Sequence, residues 1–506
     1  MKKKFLGILF ILLFLSTYIS AQSSTIRYYA FCARGIVENG YHKYDIESRN
    51  HIIDQIRDKL NVHLLIETQK YIPDSILETE KAFFNKFDKA LYSSTPMDLI
   101  YLPDHPEKLQ ELIDKNQLLP VDDLIREYAP NLYAMYPKKF WEYRERVGDV
   151  YSIPVRRYPN LTEGGFWTFR GHKVDAESLV ETLLEVGIEN AAQPFIGQVG
   201  VNSALKSFLS IYDLVSVGRG ELLVNLDQST LYPLSDMNFQ FLKMMQTYGD
   251  YLYRGFKFSS SLTGLKNFQS FKWTALYTAL NSSLLELTNI QIQKITELFS
   301  NPNNTFFSEI QFNPFGYYRK LYIPAKSENT VVTLNMIDNF VSSPYWYGLF
   351  TYGRDITPLH IKDDEMKEIK TFFNFNKSRM KSLFLPFCNE IYHRIPEYFP
   401  EPVKNDFINV KEKLRNNDHP LNGFDIDQAY EQTSKELYFG LSIVPNGLDI
   451  DKVYEQTSKE LEFRLSIVPY LNTILDGTEA LSAIVINKTQ LLIKNLQKQI
   501  DDYLGM

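Results

Sequence analysis

Six polar residues stand shortly after apolar runs of this chain and could bind a small molecule. They follow runs 99–102, 150–154 and 274–279 and are Asp104, His105, Arg156, Arg157, Tyr158 and Asn281. Carboxylate, guanidinium and amide groups can each form paired hydrogen bonds with neighbouring hydroxyls, as on the rim of a sugar ring. Two simpler interpretations stay open. Asp104 can cap the helix that follows Pro103, and at least one arginine can be an ion-paired surface residue.

Aromatic residues could cover the apolar face of such a ring. They make up 14% of the chain, with 33 Tyr and 35 Phe, although plain core packing is the favoured explanation for that content. Among the four tryptophans, Trp167 and Trp346 are the stacking candidates. Trp141 lies in an amphipathic pattern typical of a core helix, and Trp273 begins an apolar run.

No catalytic motif occurs in the sequence. HExxH, GxSxG, a phosphate-binding loop and CxxC are all missing, and no two of the eight histidines are four residues apart. We therefore predict no metal site, no cofactor and no enzymatic activity. The 61 acidic residues nevertheless leave a glycosidase-type carboxylate pair open.

Hydrophobic spacing predicts the elements that would position these residues. Strands are expected at 26–31, 62–66 and 99–102, with helices between them that carry apolar residues over 46–60 and 83–91. This order predicts a parallel sheet, whose ligands bind beyond the carboxyl ends of the strands. A further pair of strands is expected within Tyr322–Leu334.

Three segments in this region resemble a known family. Asp98-Leu99-Ile100-Tyr101, the segment Leu118–Leu124 and the segment Gly148–Pro154 occur in the order and spacing found in extracellular solute-binding proteins of ABC importers, in the large carbohydrate-type group. The resemblance implies an α/β fold of the type II periplasmic-binding-protein kind. That fold has two lobes, each a mixed sheet flanked by helices, with extra C-terminal helices here. It also implies ligand contacts in the loop that holds Asp104.

The same resemblance implies the domain boundaries. Lobe 1 would contain residues 22–160 and a returning segment near 330–380, and lobe 2 would contain residues 161–330. Residues 381–506 would form a C-terminal helical region.

Residues 1–21 have the pattern of a signal peptide, with Lys2-Lys3-Lys4 before an apolar stretch. No cysteine stands near the cleavage point, which favours a free periplasmic or extracellular protein over a lipoprotein. Removing the three lysines changes the net charge from −7 to −10, which disfavours nucleic acid as a partner. Whether Cys32 and Cys388 form a disulfide stays open.

A tandem duplication marks the C-terminal region. Segment 425–445 and segment 449–469 are identical at 17 of 21 positions, with a period of 24 residues. Two copies are too few for a solenoid. The second copy leads into a terminal helical pattern typical of the resembled family, but the residues do not decide which copy is the insert.

The resemblance implies a monomer that captures a small solute, with a saccharide favoured, and delivers it to ABC permease subunits. Two alternatives stay open. The chain could be a secreted carbohydrate-active hydrolase, or a sensor subunit that presents its ligand to a receptor.

Overall fold

A computed structural model describes a large part of the chain. The described residues are 23–31, 43–68, 76–93, 96–102, 106–148, 150–157, 165–169, 196–197, 214–217, 222–225, 228–233, 275–279, 305–308, 317–352, 360–361, 381–392, 395–396, 401, 404–405, 408–409, 411–412, 421, 424, 426, 429 and 479–505. The second copy of the duplication, residues 449–469, lies outside them.

Helices and strands alternate through the first third of the chain. The elements are β1 Ser24–Ala30, α1 Lys43–Leu60, β2 Val62–Thr68, α2 Ile76–Leu91, β3 Leu99–Tyr101, α3 Pro106–Asp114, α4 Asp122–Tyr128, α5 Pro130–Ala134, α6 Lys138–Val147 and β4 Ser152–Arg157. Predictions for β1, β2, β3 and the helices between them are confirmed. Strand β4 begins two residues later than the apolar run that predicted it.

Strands dominate the described residues of the middle, and helices follow. The elements are β5 Gly165–Phe169, β6 Ile196–Gly197, β7 Leu214–Val217, β8 Leu222–Asn225, β9 Thr230–Pro233, β10 Ala275–Ala279, β11 Thr305–Ser308, β12 Tyr317–Tyr322, α7 Thr330–Ser342, α8 Pro344–Tyr352, β13 His360–Ile361, α9 Lys381–Phe384, β14 Ile395–Pro396 and α10 Glu479–Leu504. Short 3-10 helices occupy Leu385–Phe387 and Glu390–Tyr392.

The first sheet has the order β2-β1-β3-β12-β4. Strand β1 pairs in parallel with both β2 and β3, as the alternating pattern predicted. Strand β12 enters from far along the sequence and pairs antiparallel with β3 on one side and β4 on the other. The sheet is therefore mixed, and β4 runs in the same direction as β1, β2 and β3.

The expected strand pair within Tyr322–Leu334 is wrong. Only Tyr322 belongs to a strand there, and helix α7 begins at Thr330. Its buried residues include Leu334, Ile337 and Val341, which recur at intervals of three and four along one helical face. This helical burial outweighs the strand propensity of Val331, Val332 and Thr333 at the start of α7.

Each face of β1 packs into a different layer of the core, because successive strand residues point to opposite faces. Tyr28 lies with Phe387, Leu383 and helix α7 on one side. Tyr29 lies with Phe83 and Phe87 of α2 on the other. A strand that is buried on both faces needs apolar residues at nearly every position, and 26–31 provides them.

Buried Asp98 joins the start of β3 to the turn before α7. Its carboxylate accepts hydrogen bonds from the Arg27 backbone at 2.9 Å, the Ser327 hydroxyl at 2.8 Å and the Asn329 amide at 3.1 Å. A buried carboxylate is tolerated when its oxygens are satisfied in this way. The contact fixes β1, β3 and α7 relative to one another.

Three smaller sheets complete the described strands. Sheet two has the order β11-β5-β10-β6, sheet three is β7-β8-β9, and β13 pairs with β14. Strands β8 and β9 form an antiparallel hairpin. Sheet three contacts helix α10, whose Gln497 side chain accepts a hydrogen bond from the Leu231 backbone at 3.1 Å and donates one to the Ser229 carbonyl at 3.2 Å.

The two neighbouring tyrosines of β1 give a test of the two-layer core. The Tyr28 hydroxyl donates to the Leu383 carbonyl at 3.2 Å, whereas the buried Tyr29 hydroxyl has no partner among the described residues. Tyr28→Phe should therefore lower the free energy of unfolding by about 1 kcal/mol, whereas Tyr29→Phe should leave it unchanged or raise it. Urea denaturation of both variants at neutral pH measures the difference.

Repeating the urea denaturation at alkaline pH separates Tyr28 from Tyr29 further. Burial, and secondarily the charge of Glu67, raises the pKa of Tyr29 well above its usual value. The folded state then holds this proton more tightly than the unfolded state, so stability falls as pH rises above about 10. Tyr29→Phe should remove that part of the loss. An equal alkaline loss in Tyr29→Phe and the parent would contradict the assignment.

Candidate functional site

Four strands of the first sheet end at the same edge. Strands β1, β2, β3 and β4 run in one direction, so their carboxyl ends meet there, and β12 begins there because it runs the other way. The predicted ligand segments that follow β3 and β4 both leave from this edge. The segments that hold two of the three predicted polar groups therefore start at the same edge of the sheet.

The register gives this edge its dimensions. Tyr101 of β3 is level with Leu321 of β12, which is level with Ile153 of β4. Two strand spacings separate β3 from β4, which is about 10 Å. Asp104 stands three residues after Tyr101 in the sequence, and Arg156 stands three residues after Ile153. Asp104 and Arg156 therefore each stand three residues beyond the row formed by Tyr101, Leu321 and Ile153.

Two chain connections link this edge to the second sheet. Arg157, the last residue of β4, pairs with Tyr317, the first residue of β12. Gly165, the first residue of β5, pairs with Ser308, the last residue of β11. Segment 158–164 and segment 309–316 thus leave neighbouring strands of one sheet and reach neighbouring strands of the other. An extended chain limits the span of each to about 30 Å.

Asn281, the third polar group, follows β10 of the second sheet in the sequence. Ala279, the last residue of β10, is level with Gly165 of β5. Asn281 stands two residues beyond β10, which ends where the connection from the first sheet arrives. The ends of β4 and β10, which precede Tyr158 and Asn281 in the sequence, therefore lie beside the two connections.

The predicted site residues fall into three classes. Asp104, His105, Tyr158 and Asn281 lie outside the described residues. Arg156 and Arg157 are the last two residues of β4, and Trp167 is the central residue of β5. Trp346 lies in α8, in the core.

Trp346 is packed by other aromatic rings. It is 4% exposed, and its ring lies 5.0 Å from Phe340 and 5.8 Å from Phe350 between centroids. These contacts account for Trp346 as a core residue, and none of them supports its expected role in stacking on a ligand. Trp141 is also buried, as its pattern predicted, and stacks on Tyr133 at 4.7 Å.

Buried Arg144 of α6 holds strand β4 in position. Its guanidinium donates to both carboxylate oxygens of Asp122 in α4, at 2.8 and 3.2 Å, and to the Ser152 hydroxyl at 3.0 Å. The rings of Phe140 and Trp141 lie about 5.5 Å from the same guanidinium. Asp122 and Ser152 stand in two of the three segments that carried the resemblance, so this contact is a physical reason for their joint occurrence.

Lys108 anchors helix α3, which begins directly after the segment containing Asp104 and His105. Its ammonium lies 3.0 Å from Asp88 of α2 and 3.0 Å from Glu111. Burial disfavours the charged form of Lys108, but the hydrogen bonds to Glu111 and Asp88 outweigh this effect and raise its pKa. The charged contact ties the start of α3 to α2.

Strand pairing places four aromatic residues level with residues that the sequence predicted for the site. Tyr317 and Tyr318 are level with Arg157 and Arg156, at the carboxyl end of β4. Tyr277 and Phe306 flank Trp167 in register on the second sheet. The dipeptide Tyr317-Tyr318 after Gly316 is a local signal that sequence reasoning missed. The Trp167 neighbours had no local signal, because their pairing joins distant segments.

A metal site is not found in this part of the structure. No group of three His, Cys, Asp or Glu residues that could hold a metal ion occurs among the described residues. Within the same residues, no helix has both the length and the apolar content needed to span a membrane.

No protein-family model and no curated protein matches this sequence. Solved structures do. An extracellular solute-binding protein from Bifidobacterium longum subsp. infantis aligns with 95% of this chain and 98% of its own, at 9% identity and a TM-score of 0.51. This chain shares the mixed α/β fold of that protein.

Two further structures align over similar lengths at lower TM-scores. The S. pneumoniae ABC-transporter substrate binding protein FusA in complex with kestose covers 95% of this chain and 100% of its own, at 14% identity and a TM-score of 0.47. Alginate-binding protein AlgQ2 without calcium ion covers 95% and 98%, at 13% identity and a TM-score of 0.49.

Replacing Arg144 tests whether it holds β4. Arg144→Met should lower the free energy of unfolding by about 3 kcal/mol or more, because it removes the paired guanidinium from the part-buried Asp122 carboxylate and from Ser152. Arg144→Lys should recover only part of the loss, since an ammonium cannot make the paired hydrogen bonds. Urea denaturation provides the measurement.

Arg126 supplies the matched control. It pairs with Asp123 at 3.3 Å on the surface of α4, with side chains 58% and 92% exposed. Arg126→Met should change stability by less than about 0.5 kcal/mol. Equal losses at Arg144 and Arg126 would refute the role given to Arg144.

Proposed function

We propose that this protein is an exported solute-binding protein that captures a small solute between two lobes and delivers it to an ABC permease. Lobe 1 comprises residues 22–160 with a segment near 330–380, lobe 2 comprises residues 161–330, and residues 381–506 form a C-terminal helical region. The ligand is a saccharide, and the protein acts outside the cytoplasm as a monomer. It carries no catalytic function of its own.

The paired connection between the two sheets is the observation that carries this proposal. Two neighbouring segments, 158–164 and 309–316, join neighbouring strands of one sheet to neighbouring strands of the other. A pair of adjacent connections lets two rigid bodies rotate about a narrow region while each sheet stays intact. A ligand that contacts both bodies then favours the closed arrangement, because it binds that form better than the open one.

The positions of the polar groups support the same arrangement. In the sequence, Asp104 follows β3 and Tyr158 follows β4, and these two strands end at the same edge of the first sheet. Asn281 follows β10, which ends beside the connection. Charged and amide groups after such strand ends suit the hydroxyl rim of a sugar, and an aromatic residue such as Tyr317 or Tyr318, which pair with Arg157 and Arg156, suits its apolar face.

Saccharide is favoured as the ligand class for two reasons. The sequence segments around Asp98, Leu118 and Gly148 resemble the carbohydrate-type group of solute-binding proteins. In the sequence, the residues that end or follow β3 and β4 are acidic, basic and aromatic rather than of one charge, which suits a neutral, hydroxylated solute. Short peptides are the competing ligand class for the experiment below.

A thermal-shift screen tests the proposed function. Residues 22–506 are mixed with mono- and oligosaccharides and with short peptides, and the products of any stabilising mixture are analysed. A ligand at 100 times its Kd should stabilise the native state by about 2.7 kcal/mol and should be recovered unchanged. A saccharide that stabilises the protein and is then cleaved would replace the binding function with that of a hydrolase.

Substitutions at the edge test the site with matched controls. Asp104→Ala and Arg156→Ala should each weaken binding of the stabilising saccharide by about tenfold or more, because each removes a charge-assisted hydrogen bond worth about 1.5–3 kcal/mol. Asp123→Ala and Arg126→Ala change the same residue types on the exposed surface of α4 and should leave affinity unchanged. Calorimetric titration measures Kd for all four variants, and equal affinities would place the site elsewhere.

A further inference from the structure

The duplicated segment is longer than the 21-residue match when its upstream residues are included. Residues 422–445 and residues 446–469 form two consecutive units of 24 residues that are identical at 19 positions. The five differences, given as first unit then second, are Phe424/Leu448, Gln428/Lys452, Ala429/Val453, Tyr438/Glu462 and Gly440/Arg464.

The first unit contributes buried residues to a hydrophobic cluster. Phe424, Ile426 and Ala429 are at most 4% exposed. They lie in what we call the C-terminal cleft, which is formed by Tyr143 of α6, sheet three and helix α10. The cleft residues are Tyr143, Val224, Leu231, Leu496, Ile500 and Tyr503.

Contacts around Phe424 define how the first unit docks. Its ring lies 5.1 Å from Tyr503 and 5.9 Å from Tyr143, and these two tyrosine rings are 5.1 Å apart. The Phe424 backbone donates to the Leu421 carbonyl at 3.0 Å, and the Ile426 backbone donates to the Phe424 carbonyl at 3.1 Å. The docked residues thus follow a turn that the sequence Asn422-Gly423 favours.

The second unit carries the same docking pattern in its sequence. Asn446-Gly447 repeats the turn, Leu448 stands for Phe424, Ile450 repeats Ile426, and Val453 stands for Ala429. All three docking positions stay apolar, and the residues between them are nearly unchanged. Residues 446–469 lie outside the described residues, so this step rests on their sequence.

We propose that the two units compete for the single C-terminal cleft, with the first unit bound in the ground state and the second able to replace it. Two differences explain the preference. Leu448 lacks the ring that contacts Tyr143 and Tyr503. Val453 adds two methyl groups where Ala429 is already buried, and overfilling a packed core is unfavourable.

Exchange of the units would move 24 residues from one side of the docked turn to the other. With the first unit docked, 49 residues separate Ala429 from helix α10, and with the second docked, 25 residues separate Val453 from it. The cleft is built from α6, which also holds β4 through Arg144, and from sheet three. The duplication therefore allows two docked arrangements where α10 contacts α6 and sheet three.

A mutational cycle on the shared isoleucine tests the proposal in the protein from residue 22 to 506. The variants are Ile426→Asp, Ile450→Asp and the double substitution, each followed by melting temperature and by amide hydrogen exchange in α10. We expect Ile450→Asp to change nothing and Ile426→Asp to lower the melting temperature by less than about 2 °C. The double variant should lose about 5 °C or more, because a buried unpaired carboxylate then occupies either register.

Deleting one of the two units is the second experiment that tests the proposal. Removing 446–469 or removing 422–445 leaves two proteins of equal length that differ only at the five variable positions. Both should fold, with the one that keeps the first unit melting at the higher temperature. Ile426→Asp in the protein lacking 446–469 should match the loss of the double variant.

Three outcomes would overturn the proposal. Ile426→Asp in the full chain could cost as much as the double variant, so that the second unit provides no rescue. The double variant could be as stable as the parent, so that the cleft does not depend on either isoleucine. The protein lacking 422–445 could fail to fold. If the Asp variants are insoluble, Ile426→Ala and Ile450→Ala give the same cycle at smaller amplitude.

Discussion

The antiparallel pairing of β12 with β4 is the constraint on which the rest of the described structure depends. It joins Tyr317–Tyr322 to Ser152–Arg157 across a long stretch of chain, and it also places β12 against β3. Closing so large a loop costs conformational entropy, which burial of the sheet between two apolar layers must offset. Once β12 is paired, the ends of both connections to the second sheet are fixed beside each other.

A few buried polar groups set the positions of the helices around that sheet. Asp98 joins β1 and β3 to the start of α7, and Arg144 joins α4 and α6 to β4. Asp338 of α7 accepts hydrogen bonds from the Leu132 backbone at 2.8 Å and the Asn131 amide at 2.7 Å, at the start of α5. Each group has its partners, because an unpaired buried charge is costly. The apolar layers provide most of the stability, and these contacts select one arrangement of the helices.

Helix α10 connects parts of the chain that are distant in sequence. Its Gln497 contacts sheet three, Tyr503 contacts α6, and the Asp502 carbonyl accepts a hydrogen bond from Arg146 at 2.6 Å. Phe424, Ile426 and Ala429 pack into the same cluster as α10, sheet three and Tyr143 of α6. Helix α10 depends on a short docked segment. A tandem copy of that segment can be tolerated because either copy can cover the same apolar surface.

Local patterns in the sequence determined strands β1 to β3 of the first sheet and suggested the segments of the proposed site. Apolar runs and helical spacing were enough for β1 to β3 and the helices between them, because buried elements need apolar residues at fixed intervals. Order along the chain was enough to place polar groups after strand ends. The core position of Trp141 could also be predicted from its amphipathic surroundings.

Tertiary structure decided the features that depend on distant pairing. The segment Tyr322–Leu334 has strand propensity, but helical packing of Leu334, Ile337 and Val341 against the core overrode it. Trp346 looks like an aromatic ligand contact in the sequence, and only the packing of Phe340 and Phe350 accounts for it as core. Likewise, nothing local indicates that Tyr317 lies beside Arg157 or that Ser308 lies beside Gly165. Residue type and spacing are local properties, whereas strand order and register depend on which distant surfaces can be buried together.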